Sequence, residues 1–216
     1  MPQSLTEIRS AYDLASGAYA EAFIDELRQK PRDRELLRQF ASSIAPGQKV
    51  LDLGCGPGHT THHLRSLGLT PAGIDISPKM IATANSLFPQ VAFSVGDFCQ
   101  LSHEDESVAG ILAFYCIVHL SPDQLGQAVR EMYRALSYGG ILLLSFHVGT
   151  ETIQTDSFLN TGATLEFALF SVSQVQSALT EAGFASVEIY ERPPYDSEHP
   201  TRRCYVFAHK SVNESS

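Results

Sequence analysis

The run Val50-Leu-Asp-Leu-Gly-Cys-Gly-Pro-Gly58 constrains this chain more than any other stretch. An apolar strand over residues 49–53 leads into glycines at 54, 56 and 58, and a helix over roughly residues 58–67 follows. Glycine allows a tight turn and lets a ligand approach the backbone closely. The N–H groups that open the helix point at whatever lies over that turn. In an α/β sheet such a turn lies at the carboxyl edge, where ligands bind; the plainer alternative is an ordinary strand-to-helix connection.

The same rhythm continues. Further strands are predicted over residues 71–76, 91–95, 108–113 and 141–146, separated by helices that open at Ser77-Pro78 and Ser121-Pro122. Each opening pairs a capping hydroxyl with proline at the first helical position. Ser173 and Gln176 form a capping-box pattern for a later helix that Gly183 closes. The last two strands, 187–190 and 205–208, have only a turn-rich stretch between them, so they are expected to pair antiparallel. The prediction is a single α/β domain with a Rossmann-like, seven-stranded, mostly parallel sheet, helices on both faces and an antiparallel last strand. Residues 1–45 supply capping helices, 46–147 the core, 172–210 a helix and strand pair, and 211–216 a polar tail. Residues 148–171 break the rhythm as an insertion, with Leu165, Phe167 and Leu169 alternating as in a strand. Long connections of this kind are often lids or binding loops.

A net charge of −9 argues against a nucleic-acid partner. Lys30, Arg32, Arg34 and Arg38 read as a solvated helix face. Cys55, Cys99, Cys116 and Cys204 show no pairing or zinc-like spacing, in keeping with a reduced, cytoplasmic protein. The N-terminus lacks a signal-peptide pattern and no apolar run is long enough to cross a bilayer, so no membrane association is expected. His59, His62 and His63 crowd one short helix without carboxylate or cysteine companions, which reads as surface placement with no metal.

Three aspartates stand at consecutive strand ends: Asp52, Asp75 and Asp97, the last within Gly96-Asp97-Phe98. Singly, each reads as a turn former; together they indicate a shared nucleoside site. The run 50–58, these acids and Leu136-Ser-Tyr-Gly-Gly-Ile141 resemble the class I S-adenosylmethionine-dependent methyltransferases over nearly the whole chain. The resemblance implies that Asp52, Gly54, Cys55 and Gly56 cradle the methionyl part, that Asp75 with Ile76 and Met80 takes the ribose side, and that Gly96, Asp97 and Phe98 contact adenine. It also implies a backbone contact at Phe114. Tyr12, in a Tyr12-Asp13…Ala15…Tyr19 pattern similar to the capping helix of small-molecule members, is a cofactor contact or a core tyrosine.

The implied chemistry is in-line methyl transfer from S-adenosylmethionine to a small organic acceptor, leaving S-adenosylhomocysteine. Alignment and exclusion of water dominate such a step. Tyr19, Tyr115, His119 and Phe146 are expected to line the acceptor side, with His119, and less directly His147, as candidate bases at the carboxyl edge. A nicotinamide-dependent oxidoreductase is the nearest alternative, but position 59 is His where a third glycine would stand. A non-catalytic adenosyl-binding protein on the same fold is another.

Overall fold

The computed structural model describes residues 3–212; the last four positions of the expected polar tail lie outside them. Seven strands form one sheet: β1 (Lys49–Leu53), β2 (Thr70–Asp75), β3 (Ala92–Val95), β4 (Val108–Phe114), β5 (Leu136–Val148), β8 (Ser186–Arg192) and β9 (Arg202–His209). Their order is β3-β2-β1-β4-β5-β9-β8. The first five are parallel, and β9 runs antiparallel between β5 and β8. This is the predicted architecture, including the antiparallel closing pair.

Central strands covered on both faces need apolar residues without alternation. Ile111, Leu112, Ala113, Leu142, Leu143 and Leu144 accordingly have no exposed surface. Leu51, Ile111, Leu142 and Leu144 pack with α5 (Pro122–Ala135) and α6 (Val172–Ala182) on one side. Val50, Leu112, Leu143 and Phe207 pack on the other against Leu36, Leu37 and Phe40 of α2 (Pro31–Ser42). Gly58 precedes α3 (His59–Ser66) with φ +86°. Ser77 caps α4 (Pro78–Leu87), its hydroxyl accepting from the Met80 N–H as expected.

The capping box of α6 lies two residues earlier than predicted. Ser171 and Gln174 form it, not Ser173 and Gln176. Phe170 is buried and bridged to Val148, which fixes where the chain leaves the sheet and turns into the helix.

The insertion is a β-hairpin, β6 (Thr152–Phe158) and β7 (Ala163–Ala168), forming its own two-stranded sheet. It packs on α1 (Leu5–Phe23), where Ala163 and Leu165 meet Ala11 and Ala15. The outer edge of β7 is met by side chains, since no third strand covers it. Gln3 accepts from the Glu166 N–H at 2.9 Å and donates to the Thr164 carbonyl at 3.0 Å. Asp13 of α1 accepts from the Ser77 hydroxyl (2.6 Å) and the Lys79 N–H (3.1 Å) at the start of α4, a favourable place for negative charge. These contacts hold α1 and the hairpin over the carboxyl edge of the sheet.

Candidate functional site

Chain order reverses beside β1: β2 and β3 lie to one side and β4 to the other, leaving a crevice beyond the strand tips. Gly54 sits there with φ +65°, and a Cβ on it would lie 2.4 Å from the Cβ of Cys116. Glycine is therefore what lets the tips of β1 and β4 come together. Tyr115, just past β4, takes a left-handed φ of 55° and donates its N–H to Ser145.

One end of the crevice is a narrow cleft of about 90 Å³, lined by Asp75, Ile76, Met80, Gly96, Asp97 and Phe98 beneath Leu5 and Ile8 of α1. Asp75 accepts the Gly56 N–H on Oδ2 (2.9 Å) and the Ser77 N–H on Oδ1 (2.8 Å). Burial raises its pKa against those bonds. Asp97 accepts the Cys99 N–H on Oδ1 alone. Each carboxylate keeps acceptor capacity for a ligand. Gly56 has φ +52°, and a Cβ there would meet only the Tyr19 ring, at 3.6 Å. Open backbone and spare acceptors at neighbouring strand tips fit a nucleoside with a small charged tail.

The other end widens to a cavity of about 720 Å³. Tyr12, Tyr19, Gly54, Gly56, Phe114 and Tyr115 border both spaces. Phe158 and Phe167 of the hairpin roof the cavity, and Glu26, Lys30, Glu198 and Arg203 line its polar end. Burial would raise Glu26, but the His59 hydrogen bond and the Lys30 charge hold it below the ordinary value. Burial likewise opposes the Arg192 bond at Glu198, yet that carboxyl sits at about 2.

Tyr12 and His119 meet at the junction. The Tyr12 hydroxyl lies 2.7 Å from His119 Nε2, and His119 Nδ1 lies 2.7 Å from the Glu166 carbonyl. A carbonyl can only accept, so Nδ1 carries the hydrogen and Nε2 accepts from Tyr12. Burial holds His119 down at about 4, neutral at pH 7, and raises the Tyr12 phenol. His119 borders the narrow cleft and meets the wall of the wide cavity through Tyr12 and Phe167. His147 does line the wide cavity; its Nδ1 meets the Thr201 hydroxyl at 2.7 Å, and burial beside Arg203 holds it at about 4.

Several expected site residues lie elsewhere. Asp52 borders neither space; it is 1% exposed, and its Oδ2 accepts from the Thr60 (2.7 Å) and Thr61 (2.6 Å) hydroxyls. It anchors the first turn of α3 and thereby the glycine turn, with burial pushing its pKa up to about 6. Phe146 has no exposed surface and belongs to the core, because β5 points it away from the crevice. His59 is not a surface residue: it is 9% exposed, with Nε2 2.9 Å from Glu26. Lys30 leaves the expected solvated face to pair with Glu26 and Glu198. Cys55 lines the wide cavity, with its thiol pKa raised by burial.

Residues that the sequence did not single out include Glu26, Phe158, Glu198 and Arg203. The Glu26–Lys30 spacing of four was a usable signal; the turn-rich stretch holding Glu198 offered none. Among the described residues no group of three or more His, Cys, Asp or Glu could hold a metal ion. None of their helices is long and apolar enough to cross a membrane.

Residues 50–140 match the family model for a methyltransferase domain. An uncharacterised methyltransferase of Synechocystis sp. is 34% identical over 47% of this chain and 48% of its own length. The arsenite methyltransferase of Halobacterium salinarum is 32% identical over 68% of this chain and 40% of its own. The chain thus spans about half or less of the length of the curated relatives it matches. Among solved structures, the 4+2 cyclase SpnF superimposes with a TM-score of 0.77 over 98% of both chains at 17% identity. The Haemonchus contortus phosphoethanolamine N-methyltransferase 2, solved with phosphomonomethylethanolamine and S-adenosylhomocysteine, gives 0.74 over 97% of this chain and 61% of its own at 18% identity.

Proposed function

We propose that this chain, which belongs to the class I S-adenosylmethionine-dependent methyltransferase family, methylates a small organic molecule held in the 720 Å³ cavity. The observation that carries this reading is the junction of two spaces at one switch point. A narrow cleft edged by Asp75 and Asp97 opens into a roofed chamber, and Tyr12, Gly54, Gly56 and Tyr115 border both.

Asp75 would hold ribose hydroxyls, Asp97 and Phe98 the adenine, and the backbone at Gly54 and Gly56 the methionyl end. S-adenosylmethionine, when bound, supplies an electrophilic methyl group on sulfur. The chain's own residues align and dry the reaction, which can be worth about 7–11 kcal/mol in the best intramolecular cases. α1 and the hairpin exclude water, and the rings of Tyr12, Phe114 and Phe158 give the chamber a low-dielectric wall. Tyr12, held by His119, presents its hydroxyl oxygen as an acceptor for an acceptor molecule's O–H or N–H. If that proton moves to Tyr12, the phenolic proton passes to His119 Nε2, and the imidazolium is steadied by the Glu166 carbonyl. A ring held at about 4 takes that proton only as methylation acidifies the acceptor, so orientation is the pair's first role.

Two measurements test the reading. S-adenosylhomocysteine should bind in calorimetric titration where NADH does not, and labelled S-adenosylmethionine should label a small product in a metabolite extract. NADH binding without S-adenosylhomocysteine binding would return the oxidoreductase alternative. Binding without a labelled product would leave an adenosyl-binding protein, and the likeness to SpnF shows that one fold can carry a differently named activity.

A further inference from the structure

We infer that the acceptor is an uncharged, ring-bearing molecule whose hydroxyl or carbonyl groups face the Lys30–Glu198 wall, an inference that rests on the methyl-transfer reading of this site.

Size comes first. A cavity of about 720 Å³, one end of which the methionyl group placed at Gly54 and Gly56 would fill, falls in the range of clefts that bury a drug-sized ligand, about 300–1,000 Å³. An acceptor of a few atoms would leave most of the chamber wet, next to a reaction that works best dry.

One side of the chamber is built of rings. Tyr12, Tyr19 and Phe158 form a nearly equilateral triangle, with centroids 6.1, 6.2 and 6.2 Å apart. Phe23 and Phe167 extend it at 4.6 and 5.5 Å from Tyr19 and Phe158. Such a wall favours a flat apolar body in offset or edge-on contact.

A second part of the lining is charged, and its charges pair among themselves. Lys30 Nζ lies 2.6 Å from Glu26 and 3.4 Å from Glu198. Glu198 also takes Arg192 at 2.6 Å and Arg203 at 3.4 Å, and Arg192 reaches Asp33 at 3.2 Å. Lys30, Arg192 and Arg203 thus balance Glu26, Glu198 and Asp33, and Asp25, also in the lining, pairs with Arg28 at 3.1 Å. A carboxylate or ammonium on the acceptor would be desolvated against a wall with no spare opposite charge. A neutral oxygen needs only one donor: the Lys30 ammonium donates one hydrogen bond, to Glu26, and among the described residues the buried Arg203 Nε donates none.

The test uses one skeleton in three charge states: 4-phenylphenol, biphenyl-4-carboxylate and biphenyl-4-ylmethylamine. Each is titrated calorimetrically into the full chain with S-adenosylhomocysteine bound. The phenol is expected to bind about tenfold more tightly than either charged probe. Phe158→Ala should weaken it about fivefold, and Lys30→Met, which frees acidic charge, should shift preference toward the amine. Equal or tighter binding of a charged probe, indifference to Phe158→Ala, or no binding of any probe would overturn the inference while leaving the methyl-transfer reading intact. Failure to bind S-adenosylhomocysteine would instead remove that reading. The same series in the free chain would then decide the charge preference of the cavity.

Discussion

The Tyr12 hydroxyl lies 2.7 Å from His119 Nε2, so a residue on the first helix and one just past the fourth strand act as a pair. Tyr12→Phe removes the hydroxyl that borders the acceptor cavity and keeps the ring. Turnover should fall by about 10²-fold, at the low end for lost proton-transfer assistance, while S-adenosylhomocysteine affinity changes far less. His119→Ala should lower turnover similarly and also loosen the hairpin. Steady-state rates beside calorimetry check this, and parallel losses in rate and cofactor affinity would assign the pair to cofactor binding alone.

Asp75 offers a different signature. Asp75→Ala should weaken S-adenosylhomocysteine binding by about 1–3 kcal/mol, the cost of leaving buried partners unsatisfied. The Gly56 and Ser77 N–H groups lose their acceptor in the same substitution. Asp75→Asn keeps one acceptor oxygen and should retain part of the affinity.

Asp52 is expected to govern stability through the turn. Asp52→Ala leaves the Thr60 and Thr61 hydroxyls without their partner and should cost about 1–3 kcal/mol in denaturant unfolding. Its folded pKa, about 6, lies above the ordinary 3.8, so the native chain binds the extra proton between those values. Stability from this group is full below 3.8 and is lost as pH rises through 6. Asp52→Asn removes that loss, and its melting temperature at pH 8 should match or exceed that of the unmodified chain.

The two site histidines pull the other way. His119 and His147 are held at about 4, below the ordinary 6.5, because burial disfavours their charged forms. Between those values the unfolded chain binds more protons. Their contribution is therefore full above pH 6.5 and declines as pH falls toward 4. Thermal melting from pH 7 to 4.5 should show a falling midpoint, with a shallower slope in His147→Asn.

Gly54→Ala should be among the most damaging single-methyl changes. It combines a φ of +65° with a Cβ 2.4 Å from that of Cys116, and a cost of about 2–4 kcal/mol is expected from strain plus overpacking. Chemical denaturation measures it; a neutral result would mean the strand tips can separate freely.

The strands, the glycine turn and the narrow cleft could be read from local pattern because each rests on short-range rules. Apolar runs mark covered strands, and Ser77 caps its helix wherever it lies. The wide cavity depends on long-range placement. Asp52 looked like a ligand group because it stands with Asp75 and Asp97 at consecutive strand ends, but its partners are Thr60 and Thr61, eight and nine residues on. Phe146 was assigned by its nearness to the strand end, whereas strand alternation decides which face it takes. Glu198 and Arg203 enter the site only because β9 inserts between β5 and β8, which no local pattern encodes.

The Gln3 amide occupies the outer edge of β7 as a neighbouring strand would. Without Gln3 the Thr164 carbonyl and the Glu166 N–H lose that cover, while the Glu166 carbonyl keeps His119. A bare strand edge recruits other chains. Gln3→Ala should therefore self-associate through its hairpins in concentrated solution, which light scattering would measure against the unmodified chain.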